Sequence, residues 1–444
     1  MTMKKLGTAV AMAATIASGS SQAANWLMLQ GTEDPGSAPR AKVWGFIQPE
    51  YQYTKGTELR AGPWKGQDAV FNLIGPDLDS SNTFQLRRAR IGVRGTGFGL
   101  DSGVNYFILA EMGNNAITQF GGGGAVKLTD ASVTLNYIPH ARIRVGQFKY
   151  PGAEEGLQAI HVFNYVNFTN ITNQQLLERF FDEDGSRSGL DKEVENEPNG
   201  SIGAFRDIGI QVFDTFTTDK WEHSYAAMVG NGNGIDRSDN DSNKDYYLYW
   251  ASELVFGGKK ARRQGWKLFA WYQDGKRTLD YAYGEARKQE FDRTRWGLGT
   301  TYLKGKWRGA AEYISADGMI FNGTDGAAVP GAINNAGTAR ASWNVLPDDK
   351  AWGWYLDLGY KVLPQLELDV RYDYEDRGTE TDLGERELET WTIGAQWFFN
   401  KKARAIVNYE FRDFNAPGYK SSAPPNEILD GVDDRFSVQL LAIF

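Results

Sequence analysis

The 444-residue sequence contains no cysteine, only three histidines and only 14 prolines. The absence of cysteine excludes a disulfide framework, thiolate metal sites and a cysteine nucleophile. None of the three histidines, His140, His161 and His223, has a nearby serine and aspartate in a nucleophile-elbow context. The HExxH motif is also absent. We therefore predict that the protein is not an enzyme and has no cofactor or dedicated metal site. The one exception to this prediction is that the Asp- and Asn-rich loop at 231–245 could bind calcium adventitiously.

The sequence also lacks long apolar runs and basic blocks. No stretch approaches the ~18–20 apolar residues of a membrane-spanning helix. The formal charge is −8, which argues against a nucleic-acid partner. Lys4 and Lys5 precede a short apolar run, and Ser21 and Ala23 complete the pattern of a signal peptide, 1–23, cleaved after Ala23. Export without helical spans leaves a soluble exported protein or an outer-membrane barrel.

Period-two alternation is the most abundant pattern in the chain. Apolar and polar residues alternate through 366–374, 403–412 and 435–444, as in strands that have one apolar and one polar face. Short connections, such as 399–402, alternate with long polar ones, such as 231–245. This organisation is typical of up-and-down barrels of the outer membrane.

We predict an all-β fold, a transmembrane antiparallel up-and-down β-barrel formed by residues 41–444. At about 26 residues per strand and connection, the length suggests about 16 strands. Residues 24–40 are predicted to be an N-terminal periplasmic segment. Segment 151–200 lacks clean alternation but is too apolar for disorder, so we expect it to fold into or against the lumen and narrow it. The alternative is an external loop packed at a trimer interface.

Aromatic residues near strand ends support the membrane location. Trp391 and Trp397 fit the interfacial girdles of a barrel, and the chain stops on Phe444 after an amphipathic strand. A terminal aromatic of this kind resembles the assembly signal of bacterial outer-membrane barrels. We therefore predict the outer membrane of a Gram-negative bacterium as the location. The expected partners are membrane lipid and the barrel assembly machinery.

The stretch FQLRRARIGVRG at 84–95 places charge within a strand. By parity, one face is apolar and the other carries arginines, and charge facing lipid costs ~2–4 kcal/mol at the midplane. The predicted lumen cations here and on a later strand are Arg88, Arg90, Arg94, Arg142 and Arg144. The predicted lumen carboxylates are Glu111, Asp130, Glu367, Asp369 and Asp373. Arg87 falls on the lipid side by parity and is expected near a rim or snorkelling. The arginines either guide anions or brace the wall against carboxylates, and both interpretations stay open.

Several short motifs share a common order with a known family. They are FQLRRARIGVRG (84–95), LTDASVTLNY (128–137), IRVGQFKYPGAEEG (143–156), FRDIGIQV (205–212) and VGNGNG (229–234). In this order the sequence resembles the phosphate- and polyphosphate-selective porin O and P family. The resemblance implies a 16-stranded, homotrimeric outer-membrane channel. It also implies that Arg88, Arg90, Arg142 and Arg144 lie on barrel strands.

The predicted function is a porin, an outer-membrane channel for passive diffusion of small hydrophilic solutes or ions, with an anion or phosphate-type preference. Two alternatives remain. The barrel could be an outer-membrane scaffold that sheathes or presents a partner protein, or the chain could be a secreted soluble β-protein such as a carbohydrate binder.

Overall fold

The structure, a computed structural model, describes residues 25–29, 31–32, 40–54, 58–69, 82–97, 101–114, 126–178, 203–235, 239, 241–258, 263–280, 288–324, 328, 332–339, 341 and 343–444. The predicted signal peptide lies outside these residues. Sixteen strands form the barrel: β1 (Lys42–Thr54), β2 (Asn82–Thr96), β3 (Val104–Glu111), β4 (Lys127–Leu135), β5 (Arg142–Lys149), β6 (Arg206–Thr218), β7 (Trp221–Gly230), β8 (Asp245–Gly257), β9 (Gln264–Asp280), β10 (Lys288–Lys304), β11 (Trp307–Asp317), β14 (Lys350–Leu363), β15 (Leu366–Arg377), β16 (Arg386–Asn400), β17 (Ala403–Asn415) and β18 (Arg435–Ile443). Two further strands, β12 (Ile320–Thr324) and β13 (Trp343–Leu346), pair with each other in a separate two-stranded sheet.

The barrel is closed by the first and last strands. Each barrel strand pairs antiparallel with its neighbours in chain order, and β1 pairs with β18 in a register that places Glu50 opposite Gln439. The backbone of Phe444 extends this seam, because its N–H donates to the carbonyl of Gly45 at 3.0 Å. Closure leaves the barrel sheet without an unpaired edge. The predicted antiparallel barrel of about 16 strands is confirmed.

Alternating side chains explain why these segments form barrel strands. In β15 the carboxylates of Glu367 and Asp369 are buried inside the barrel, whereas Leu368 faces outward with 47% of its surface exposed. Outward apolar side chains on other strands, such as Ile91 and Leu248, are similarly exposed on the single chain. An apolar exterior around a polar interior is the pattern of a membrane barrel. No helix among the described residues is long and apolar enough to cross a membrane.

The two ends of the barrel differ in the length of their connections. At one end, the short-turn end, two residues join β10 to β11 (305–306) and two join β14 to β15 (364–365). At the other end, the long-loop end, the connection between β11 and β14 occupies 318–349 and contains β12 and β13. Helix α2 (Pro424–Leu429) lies in the long-loop connection between β17 and β18.

A β-bulge overturns the prediction for Arg87. Gln48 of β1 pairs with Arg88, but the next residue of β1 pairs with Leu86, so Arg87 is an extra residue in β2. A bulge changes the parity of a strand, and both adjacent arginines therefore face the lumen. The Arg87 side chain is fully buried and forms an ion pair with Glu50 at 3.0 Å. Its expected position on the lipid side was wrong, because uniform alternation was assumed.

The connection between β5 and β6 enters the barrel. Its longer described part, residues 150–178, is called the infolded segment below; it contains α1 (Glu154–Leu157) and a helical turn at Thr172–Leu176. Its apolar side chains, including Phe163, Phe168 and Ile171, are buried in the main hydrophobic cluster of the barrel interior. The prediction that one long segment folds into the lumen is confirmed for these residues. Residues 179–200 of the predicted constriction lie outside the described residues.

Candidate functional site: the barrel lumen

The structure places the predicted site residues on the inner face of the barrel. The buried ones are Arg88, Arg90, Arg144, Glu111, Asp130, Glu367, Asp369 and Asp373. Arg94 and Arg142 also face inward, near the short-turn end, and are partly exposed. The ten residues do not converge on one point, because those on β2 to β5 and those on β15 belong to different parts of the wall.

On β2 to β5, which we call the cationic wall, buried cations outnumber buried carboxylates. The buried cations are Arg87, Arg88, Arg90, Arg144 and Lys149, and the buried carboxylates are Glu111 and Asp130. Arg90 pairs with Glu111 at 2.7 Å, and Asp130 pairs with Arg206 of β6 at 2.9 Å. Some of the cations therefore brace the wall, as one interpretation of the sequence predicted. The balance of the wall is still positive.

Arg88 and Arg144 have different surroundings from these pairs. Arg88 donates to the side-chain oxygen of Gln48 at 3.2 Å and has no carboxylate within 4.0 Å among the described residues. Arg144 donates to Thr134 at 3.3 Å, and its guanidinium lies 4.5 Å from the centre of the Phe213 ring. Arg142 is instead paired with Asp214 at 2.8 Å. The predicted ladder thus contains ion-paired arginines and, in Arg88, an arginine held by a neutral group.

The carboxylates are concentrated on β14 to β17, which we call the acidic wall. Arg308 of the neighbouring β11 pairs with Glu367 at 2.7 Å and also with Asp357 and Asp369. The further buried carboxylates are Asp373, Glu375, Asp376 and Glu410. One guanidinium thus bridges three acids, and its fixed fork of donors suits several carboxylates at once.

The infolded segment lies against the acidic wall and donates hydrogen bonds to it. The Tyr165 hydroxyl donates to Asp357 at 2.7 Å, and the backbone N–H of Asn170 donates to Asp373 at 2.9 Å. Two side-chain amides do the same: Gln175 donates to Glu375 at 2.8 Å, and Asn167 donates to Glu410 at 2.9 Å. Neutral donors of the infolded segment therefore bind four carboxylates of this wall.

A lumen cavity of about 190 Å³ lies between the infolded segment and the cationic wall. Its cationic lining residues are Arg90, Arg94, Lys149 and Arg206, and none of the described residues that line it is a carboxylate. His161 of the infolded segment also lines it. Burial and the neighbouring Arg404 guanidinium lower the pKa of His161 to about 3, so its imidazole is neutral at physiological pH.

Sequence reasoning missed a second segment inside the barrel. Residues 25–29, within the predicted periplasmic segment, enter the lumen at the short-turn end. The indole N–H of Trp26 donates to Glu154 at 2.8 Å, and Arg94 donates to the carbonyl of Leu29 at 3.3 Å. The apolar run WLML at 26–29, which begins two residues beyond the predicted cleavage site, was the available signal. Four large apolar residues are unusual for a solvated tail.

The family model for Gram-negative porins matches residues 7–417. The chain belongs to the Gram-negative porin family. A search of curated proteins found no match. The family and the fold identify the protein as an outer-membrane channel for small solutes. The more specific resemblance to the phosphate-selective porin O and P family stays a prediction.

Solved porin structures share the barrel fold at low identity. OmpF of Salmonella typhi in complex with daunomycin is 13% identical, with 91% of this chain and 97% of that chain covered and a TM-score of 0.50. An anion-selective porin from Comamonas acidovorans is also 13% identical, with coverages of 91% and 99% and a TM-score of 0.49. The outer-membrane channel DcaP of Acinetobacter baumannii is 13% identical, with coverages of 94% and 100% and a TM-score of 0.45.

Within the part of the chain that the structure describes, no group of three or more histidine, aspartate or glutamate side chains could hold a metal ion. In the loop at 231–245, Asp239 is paired with Lys244. Adventitious calcium in the loops, and the absence of a cofactor, remain predictions.

Proposed function

We propose that this porin is a passive channel that prefers anions, including phosphate-type anions, over cations of similar size. The observation that supports the proposal is a difference in charge compensation between the two walls. The infolded segment donates to carboxylates of the acidic wall, whereas cations alone charge the cavity beside the cationic wall. A solute that crosses near this cavity lies closer to positive charges than to negative charges.

The physical basis is the electric field of fixed charges that line a narrow passage. Low-dielectric walls focus the field of the charges that line a passage and raise the local concentration of counter-ions. Hydrogen-bonded and ion-paired carboxylates, such as those around Arg308, project less negative potential into the passage. Arginine keeps its charge and presents several donors to oxyanions, which suits phosphate as well as chloride.

The proposal extends to assembly. We propose a homotrimer in the outer membrane, with lipid around the apolar exterior. We also propose that Phe444 acts as a recognition signal for the barrel assembly machinery. Its ring is 57% exposed, and its backbone pairs with Gly45 at the closing seam. Sedimentation of the detergent-solubilised protein tests the trimer, and a monomer would contradict it.

Planar-bilayer recording tests the channel directly. Purified, folded porin should produce ion-conducting steps, and the reversal potential in a KCl gradient should have the sign of chloride preference. Replacement of chloride by phosphate should preserve a measurable anion current. Absence of steps would contradict the channel and favour the scaffold alternative. Steps with a cation-selective reversal potential would contradict the anion preference alone.

A further inference from the structure

We propose that the lumen cavity is a binding site for a small aromatic carboxylate, of the size of benzoate. This inference rests on the proposed function, because it names a solute class for the same lumen. The lining combines cations, which complement a carboxylate, with apolar rings, which complement an aromatic ring. The site is defined by Trp44, Phe46, Arg90, Arg94, Lys149 and His161.

The cations supply the half of the site that would hold a carboxylate. Lys149 is buried, and its ammonium group donates to the carbonyls of Gly156 at 2.7 Å and Gln158 at 2.6 Å. Its contacts given by the structure are neutral carbonyls, and no carboxylate lies within 4.0 Å of it among the described residues. Backbone carbonyls orient an ammonium group but leave its net charge uncompensated. A ligand carboxylate would supply the missing counter-charge.

Aromatic rings supply the other half. The His161 ring lies 5.2 Å from the Phe46 ring and 5.7 Å from the Trp44 ring, measured between centroids. Phe107 lies 6.1 Å from Trp44 on the same side of the cavity. These separations are in the range at which aromatic rings attract each other, so the cluster could accept a further ring. The neutral imidazole adds no charge to this half.

One polar atom of the site lacks a partner. The indole nitrogen of Trp44 is buried and has no hydrogen-bond acceptor among the described residues. A buried donor without an acceptor lowers stability, because it loses its hydrogen bond to water and gains none in return. A ligand oxygen would remove that cost. Since Trp44 also belongs to the ring cluster, a ligand with one ring and one carboxylate could satisfy both features of this side chain.

Size and polarity favour this ligand class over inorganic phosphate. A cavity of about 150 Å³ in another protein binds benzene, and the cavity in this porin measures about 190 Å³. The additional space suits a carboxylate. Phosphate needs hydrogen-bond partners around all of its oxygens. The apolar side of the cavity, formed by residues such as Leu109, Ile160 and Val162, offers none.

Calorimetry and bilayer recording with sodium benzoate test the site. The chemical controls are acetate, which lacks the ring, benzyl alcohol, which lacks the charge, and inorganic phosphate. Benzoate should bind the intact porin at least about tenfold more tightly than each control, because a charge-assisted hydrogen bond or the burial of a ring alone accounts for that factor. It should also reduce the single-channel current reversibly. Equal affinity for acetate or phosphate, or no binding of benzoate, would overturn the proposal.

Matched variants locate the site. Lys149→Gln should weaken benzoate binding by about tenfold or more, and Trp44→Phe, which keeps a ring but removes the N–H, should weaken it by a smaller factor. Arg295→Gln is the control. Like Lys149, Arg295 is a buried cation that donates to a backbone carbonyl of the infolded segment, that of Gln175 at 3.1 Å, but it does not line the cavity.

The control variant should retain benzoate affinity within about twofold. An equal loss in both variants would overturn the proposal, since it would show that Lys149 acts only by holding the infolded segment. Calorimetry remains informative if the porin does not conduct. Benzoate binding without conductance contradicts the proposed channel and supports the site, whereas conductance without benzoate binding does the opposite.

Discussion

At the scale of single residues, the electrostatic potential in the lumen depends on which charged side chains have ion-pair partners. Arg308 is the clearest case, because one buried guanidinium serves Asp357, Glu367 and Asp369. Sequence parity predicted Glu367 and Asp369 as lumen carboxylates. It could not identify their partner, because Arg308 lies about 60 positions away in the sequence. The two acids contact Arg308 only because the barrel places β11, β14 and β15 side by side.

Substitution of Arg308 should destabilise the barrel strongly. Arg308→Met leaves three buried carboxylates without their cation, and the loss of one partner of a buried ion pair costs about 3–5 kcal/mol. Urea unfolding in detergent, followed by tryptophan fluorescence, measures the change in unfolding free energy. The control is Lys276→Met, because the Lys276–Glu290 pair is about half exposed. It should cost less than about 1 kcal/mol. Equal effects of the two substitutions would contradict the assigned role of Arg308.

Removal of Arg88 should weaken the preference for anions. Arg88 has a neutral partner in Gln48, so Arg88→Gln removes one net positive charge from the cationic wall. The permeability ratio of chloride to potassium should fall by roughly twofold or more. The control is the double variant Arg90→Gln/Glu111→Gln, which removes an ion pair and leaves the net charge unchanged. A larger shift in the double variant than in Arg88→Gln would contradict the prediction.

At the scale of elements, the infolded segment determines the shape and the charge of the passage. The sequence predicted its entry into the lumen, because its apolar content was too high for a solvated loop. It did not predict which wall the segment covers, since those contacts join residues about 190 to 240 positions apart. The bulge at Arg87 was also missed. One extra residue is invisible to a period-two pattern until the partner strand is known.

Removal of the infolded segment should widen the channel. Replacement of residues 157–176 by a short Gly-Ser linker removes the Tyr165–Asp357 and Gln175–Glu375 contacts and the side chains that fill the interior. Single-channel conductance should rise by roughly twofold or more, since a larger cross-section carries more ions. The control replaces the exposed loop 379–383 by the same kind of linker. An unchanged conductance in the first variant would show that the segment does not narrow the passage.

At the scale of the whole molecule, closure between β1 and β18 converts sixteen strands into one unit. The number of strands, their antiparallel order and their lipid-facing sides followed from alternation and length. The seam itself depends on close backbone approach. A Cβ atom at Gly45 would lie 2.4 Å from the carbonyl oxygen of Arg90 and 2.4 Å from the Phe444 ring. Only glycine fits between these groups.

An alanine at Gly45 should therefore loosen the seam. Gly45→Ala should lower the unfolding free energy by about 1–3 kcal/mol, the usual cost of overpacking. The transition from folded to unfolded mobility on semi-native gels during heating reports it. Gly309→Ala is the control, because a Cβ atom there would make its nearest contact at 3.5 Å, an ordinary van der Waals distance. Similar transition temperatures for both variants would contradict the role of Gly45.

The central claim is that the infolded segment donates hydrogen bonds to carboxylates of the acidic wall, whereas cations alone charge the cavity beside the cationic wall. The reversal potential in a KCl gradient, measured for the intact porin and for the 157–176 replacement, tests it most directly. The account predicts chloride preference in the intact porin and a shift toward potassium in the variant, as the carboxylates of β14 to β17 become accessible. Cation preference in the intact porin, or the same reversal potential in both proteins, would contradict it.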